Sequence, residues 1–166
     1  MKNKSVLFTT QAAMIAAIYV VLTVIFAPIS FGVVQIRIAE ALTILPLFTP
    51  AAIPGLFIGC LIGNILGAAI LPDIIFGSLA TLIGAIFTYK LRNKHAALAP
   101  IPPIVSNTII IPLVLRYAYG QSSLAFPLMM LSVGIGEVVG CGVLGMVLYT
   151  VLNKYRNKIF KSTATF

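Results

Sequence analysis

The chain has 166 residues, 60% of them hydrophobic and only 8% charged, with a mean hydropathy of +1.12. A soluble domain carries about a quarter charged residues, and so short a chain cannot hide this much apolar surface from water, so its solvent is a lipid bilayer. The net charge of +8 would suggest nucleic acid in a soluble protein, but every basic residue except Arg37 and Arg116 falls in one of three clusters flanking apolar runs, which marks membrane anchors and excludes a nucleic-acid partner.

At about 20 residues per helical span, this length holds roughly five to seven helices in a single membrane domain, residues 1–166. The first apolar run, 6–27, is longer than a signal-peptide core and no small-x-small cleavage site follows it, so it reads as a retained span. The region 38–71 fits either one kinked helix or two short ones. Parity decides: with a cytoplasmic N-terminus, the basic cluster Lys90, Arg92 and Lys94 is cytoplasmic only after an even number of spans. Two spans, 38–49 and 51–71, satisfy this, and "LFTPAAIPG" supplies the break because its prolines disfavour a continuous helix. The second span is short and needs neighbouring helices to shield its ends. Further spans are expected at 74–89, 101–118 and 124–152. The expected fold is an all-α integral membrane protein with six transmembrane helices and both termini cytoplasmic, multi-pass in the cell membrane.

Small residues mark where helices touch. Gly55, Gly59, Gly63 and Gly67 recur every four residues in the third span, and Gly136 and Gly140 repeat the spacing in the sixth. Such stripes let backbones approach closely. In the first span "QAAMIAAIY" pairs Ala12 with Ala16 and Ala13 with Ala17. This double AxxxA suits packing inside the bundle or docking of another membrane protein.

Few strongly polar groups remain within the spans or at their outer ends: Arg37, Glu40, Asn64, Asp73, Asn107, Arg116 and Glu137. Ionisable groups in membrane segments face the bundle interior or a water-filled cavity. Alternating span directions place Arg37, Glu40, Asp73 and Arg116 near the outer face, Asn64 in the outer half and Glu137 and Asn107 deeper, which suggests a polar pocket opening outward. Each has a plainer reading. Arg37 and Glu40, at i and i+3, can neutralise each other. Asp73 can N-cap the fourth span. Asn64 and Asn107 can bridge helices. Glu137 needs a proton or a partner, and Arg116 is a candidate. Ser78, Thr81 and Thr88 fit bonds to their own helix backbone, and Cys60 and Cys141 fit small packing residues.

An enzyme is not expected. There is no HExxH, no Ser/His/Asp set and no phosphate-binding GxxxxGK[ST] loop. With no CxxC and a single histidine, His95, neither a metal nor another cofactor is expected.

The stretches "VQIRIAEALTILPLFTPAAIPGLFIGCLIGN", "DIIFGSLATLIGA" and "PPIVSNTIIIP" resemble the queuosine-precursor transporter (QueT) family, substrate-binding S components of energy-coupling factor (ECF) transporters. The resemblance runs from Gln11 to about Leu152. It implies six helices, an outward-facing site for a deazaguanine-type queuosine precursor, and delivery with an EcfT-like membrane coupling protein and two cytoplasmic ATPases. It also implies that the alanine patch of the first helix, Ala12, Ala13, Ala16 and Ala17, docks on the coupling protein. For such a ligand, one carboxylate can accept from a ring N–H and the neighbouring exocyclic amine. An asparagine suits the remaining edge, an aminomethyl group would want a second carboxylate, and Phe31, Phe76, Tyr117 or Tyr119 could stack on the ring. On this reading Glu40 reads the purine-like edge, Arg37 orients it, and Glu137 and Asn107 complete the site, with Asn64 and Asp73 as further contacts. Three alternatives remain: an S component for a pterin or similar vitamin-like ligand, a proton-coupled secondary transporter using Glu137, and a structural subunit that binds no small ligand.

Overall fold

The computed structural model describes residues 2–30, 36–121 and 125–159. Among these residues all regular structure is helical and no strand occurs. In chain order the elements are α1 (Lys2–Ile25), a short turn α2 (Ala27–Ser30), a 3-10 helix (Ile38–Leu47), α3 (Ala52–Leu66) and α4 (Leu71–Lys90). A 3-10 turn (Ala96–Leu98) leads into α5 (Ile101–Tyr117). Then α6 (Phe126–Glu137), a π-helical segment (Val138–Leu144) and α7 (Gly145–Lys154) run on as one 29-residue stretch, followed by α8 (Arg156–Ile159). Four stretches are long and apolar enough to cross a membrane: Lys4–Ile25, Leu71–Lys90, Ala96–Tyr117 and Phe126–Lys154.

Local chemistry sets the helix ends. Proline sits in the first turn of α4, α5 and α6, where its missing N–H has no intrahelical partner to lose. Lys90, Arg116 and Lys154 occupy last turns, facing the negative end of the helix dipole.

Close contacts give each helix its direction. A side chain added at Gly55 would strike Ala12, one at Gly59 would strike Ala16 and Tyr19, and one at Gly63 would strike Thr23, so α1 and α3 run parallel. Thr81 reaches Cys60 and Asn64 reaches Asp73, so α3 and α4 are antiparallel. Ser106 bonds Ala80, and Gly84 lies against Pro103, so α4 and α5 are antiparallel. Thr108 meets Gly134, and Ile104 meets Gly142, which reverses the direction again. The basic ends of α1, α4 and α7 therefore gather at one end of the bundle.

The 3-10 helix occupies the centre, touching α1, α3, α4, the π segment and α7. All nine residues from Ala39 to Leu47 are buried. The 3-10 form rises about 2.0 Å per residue against about 1.5 Å in an α-helix, so ten residues reach about 20 Å instead of 15 Å. A segment too short to cross as an α-helix is thereby stretched and wrapped on all sides by its neighbours. Leu42 and Leu45 pack with Tyr19, Leu56 and Cys60, while Ile44, Leu47 and Phe48 pack with Ala99 and Tyr149.

Some boundaries differ from the sequence expectation. The second segment is 3-10 rather than α-helical. The third helix stops at Leu66 instead of continuing to residue 71, because Gly67 caps it and Ala68 turns the chain with φ 57°; Gly67 thus ends the helix and is not part of its packing stripe. The fourth helix starts at Leu71 with Ile70 as N-cap, leaving Asp73 inside the first turn and not as the cap. The sixth helix is interrupted by the π segment, where a side chain at Gly140 would come within 2.9 Å of the Arg37 carbonyl oxygen.

Candidate functional site

The 3-10 helix carries Glu40 and Thr43 three residues apart, a spacing that eclipses side chains in this helix type, and Arg37 is its N-cap. All three are buried. From α1, the Tyr19 hydroxyl donates to Glu40 Oε1 at 2.6 Å. From the π segment, the Cys141 thiol donates to Glu137 Oε2 at 3.2 Å and lies 4.0 Å from Glu40 Oε2. Asn107 of α5 hydrogen-bonds the Glu137 carboxyl. Five elements therefore meet at two carboxylates: α1, the 3-10 helix, α5, α6 and the π segment. Glu40 sits at the depth of Tyr19, Glu137 and Asn107, in the body of the bundle and not only at its outer rim.

A second polar group lies where α3 meets α4. Asn64 Nδ2 donates to the Asp73 carbonyl at 3.5 Å and approaches Cys60 Sγ at 3.6 Å. The Tyr119 hydroxyl donates to Asp73 Oδ2 at 3.1 Å and accepts from the Ile70 N–H at 3.3 Å. Partial desolvation raises the Tyr119 phenol above its ordinary range, and the protonated hydroxyl donates to the carboxylate. Asp73 Oδ1 is buried without a hydrogen-bond partner, an acceptor left for a donor.

The two groups are joined. Cys60 interacts with Tyr19, and the Arg37 charge acts on Glu40, Asp73 and Glu137. The positive charge that acts on Glu137 is that of Arg37; Arg116 lies nine residues beyond Asn107 on α5, about 13 Å along the axis. The chain has only three acidic residues, Glu40, Asp73 and Glu137, and all are buried. Three carboxylates out of water are costly unless positive charge or donors face them. Glu40, Glu137 and Cys141 each place a ligand atom within 4.8 Å of the others, an arrangement that suits a positive charge between them.

The structure brings together Arg37, Glu40, Asn107 and Glu137, with Asn64 and Asp73 beside them. Sequence reasoning missed Tyr19 and undervalued Cys141, which lies between the carboxylates instead of filling apolar space. Thr88 also differs: its hydroxyl bonds the Ala99 carbonyl across the turn, at 2.9 Å, and not its own helix. Of the candidate stacking rings, Phe76 is 50% exposed and Tyr117 80% exposed, so both face away from this cluster. Phe31 lies outside the described residues. The alanine patch splits by register: Ala16 is buried and Ala12 half-buried against α3, whereas Ala13 and Ala17 are exposed.

A family model described as QueT transporter matches residues 9–154. The chain belongs to the QueT transporter family. With its apolar helices, this makes it a multi-pass membrane protein. A relative named Queuosine precursor transporter QueT, from Lactococcus lactis subsp. cremoris (strain MG1363), is 35% identical over 85 residues, which cover 50% of this chain and 50% of the relative. The chain thus spans about half the length of the curated relative it matches. No solved structure matches.

Proposed function

We propose that this chain is the substrate-capture (S) component of an ATP-driven ECF importer in the cell membrane, taking up a deazaguanine-type queuosine precursor. The observation that carries the reading is the burial of every carboxylate in the chain around one arginine, inside a QueT family bundle. Glu40, held by the Tyr19 hydroxyl, accepts from the ring N–H and exocyclic amine of the ligand. Asn107 reads the remaining edge. An aminomethyl ammonium sits between Glu40 and Glu137, where two carboxylates and a thiol converge. Arg37 orients Glu40, and Asp73 Oδ1 accepts a further donor. Asn64 steadies the Asp73 turn.

The alternating helix directions support six passes, with the 3-10 helix as the second, and the gathering of basic ends supports both termini in the cytoplasm. The exposed register, Ala13 and Ala17, docks on the coupling protein, while Ala12 and Ala16 serve the contact with α3. Two ATPases bound to that coupling protein supply the energy.

A second reading draws on the same carboxylate pair: Glu40 and Glu137 could exchange a proton in a proton-coupled secondary transporter. Calorimetric titration of the purified chain alone, with deazapurine precursors and a pterin control, tests the first reading. Binding of the precursor and not the pterin is expected. Pterin binding would replace the substrate. Absence of binding to folded protein, with uptake that follows the proton gradient and needs no ATPase, would favour the second.

A further inference from the structure

We propose that the groove between α4 and α5 is a binding site for an anionic phospholipid, seating one acyl chain below a headgroup held by Lys90. The groove has a volume of ≈ 460 Å³ and lies on the exposed side of the bundle, apart from the carboxylate cluster. Its walls are Ile83 and Phe87 on one side and Ile101, Val105 and Ile109 on the other, all exposed apolar side chains. The one hydroxyl lining it, that of Ser106, is already bonded to the Ala80 and Pro103 carbonyls at 3.0 and 3.1 Å, so the groove offers apolar contact along its length.

Its dimensions fit one leaflet. From Ile83 to Lys90 is about 10 Å of helix and from Ile101 to Ile110 about 14 Å, against about 15 Å for half of a 30 Å hydrocarbon core. The groove opens at the basic end of the bundle. There Lys90 lines it, with its ammonium 5.1 Å from the Phe87 ring centre, and Arg92 and Lys94 follow in the next turn. Charge complementarity selects the occupant: all three acidic side chains of the chain are buried elsewhere, so no carboxylate of its own opposes a phosphate at this mouth. Basic pockets between helices at such a membrane face hold anionic headgroups, each basic residue favouring them about five-fold.

Native mass spectrometry of the purified protein, equilibrated with equal amounts of phosphatidylglycerol and phosphatidylcholine, tests the site. The wild-type protein should retain phosphatidylglycerol at least about five-fold over phosphatidylcholine. Lys90→Glu should abolish that preference, and Val105→Trp, which fills the groove from an exposed position, should lose the bound lipid altogether. Equal retention of both lipids by the wild-type protein, or an unchanged preference in Lys90→Glu, would overturn the proposal. So would a wild-type dimer that Val105→Trp dissociates, since a second copy would then occupy the groove. If Val105→Trp does not fold, Ile109→Trp at the next exposed turn gives the same reading.

Discussion

Two glycine contacts in this bundle look alike and do different work. Between α1 and α3, Gly55 lies so close to α1 that an added Cβ would stand 2.8 Å from the Ala12 carbonyl oxygen and 3.0 Å from Ile15 Cβ. Between the π segment and the 3-10 helix, a Cβ at Gly140 would stand 2.9 Å from the Arg37 carbonyl oxygen and 3.5 Å from Glu40 Cβ. The first contact joins two apolar faces and serves stability. The second sets the distance between Glu40 and the Glu137–Cys141 turn, and serves the polar site. A small-residue contact therefore shows where backbones meet, while the neighbouring side chains decide what the meeting is for.

The largest effect expected on the polar side of this comparison is from Glu40→Gln. It keeps the shape but removes the charge proposed to face the ligand, so affinity should fall about a hundredfold, or about 3 kcal/mol. Titration calorimetry measures it, and a thermal melt close to wild type would separate lost binding from lost folding. Next come the two glycines, changed in turn. Gly55→Ala should cost about 1–3 kcal/mol in stability and leave affinity nearly intact. Gly140→Ala should weaken binding by about tenfold more than Gly55→Ala does, for a comparable loss of stability. Equal effects of both on binding would dissolve the distinction. Smaller for the isolated chain is Ala13→Leu combined with Ala17→Leu. Both positions are exposed, so stability and ligand binding should hold while uptake with the proposed coupling protein is lost. Preserved uptake would move docking to another face. The smallest change in stability among the single substitutions is expected at Ala68, whose φ of 57° is left-handed. Ala68→Gly should add about 0.5 kcal/mol, the relief of strain exceeding the entropy glycine loses, as denaturation in mixed micelles would report.

Much of this was legible in the sequence because a membrane leaves little room for polar residues. Arg37, Glu40, Asn107 and Glu137 stand out against apolar runs, and the structure gathers them in one cluster. The third-span glycine stripe also declared a contact, with Gly67 the exception. What the sequence left open depends on azimuth and on helix type. Ala12 and Ala13 carry the same spacing, and only the position of α3 separates the packed register from the exposed one. Tyr19 lies in a run of apolar residues, and nothing local says that its hydroxyl meets Glu40. Cys141 is a small residue to any hydropathy scale, and its place between two carboxylates depends on the π segment. The stretch "IAEALTILPL" gives no warning of its 3-10 form; burial among five neighbours overrides propensity there. Asp73 after Pro72 resembled a helix cap, but the helix begins two residues earlier.

The buried 3-10 helix also bears on how the protein is made. A charge at the centre of a membrane helix costs about 2.5–3.5 kcal/mol on the insertion scale, so a ten-residue segment led by Arg37 and carrying Glu40 cannot settle in lipid alone. It must be carried in beside α3 and held there. Its last wall includes Cys141, which lies 101 residues further along the chain from Glu40. At a synthesis rate of about 5–20 residues per second, the centre of the bundle waits roughly 5–20 seconds, open on one side, for the π segment to arrive, with α7 following directly behind it. The ribosome thus delivers the carboxylate pair in two instalments, and the pair exists only once Glu137 has followed Glu40 out of the ribosome by 97 residues.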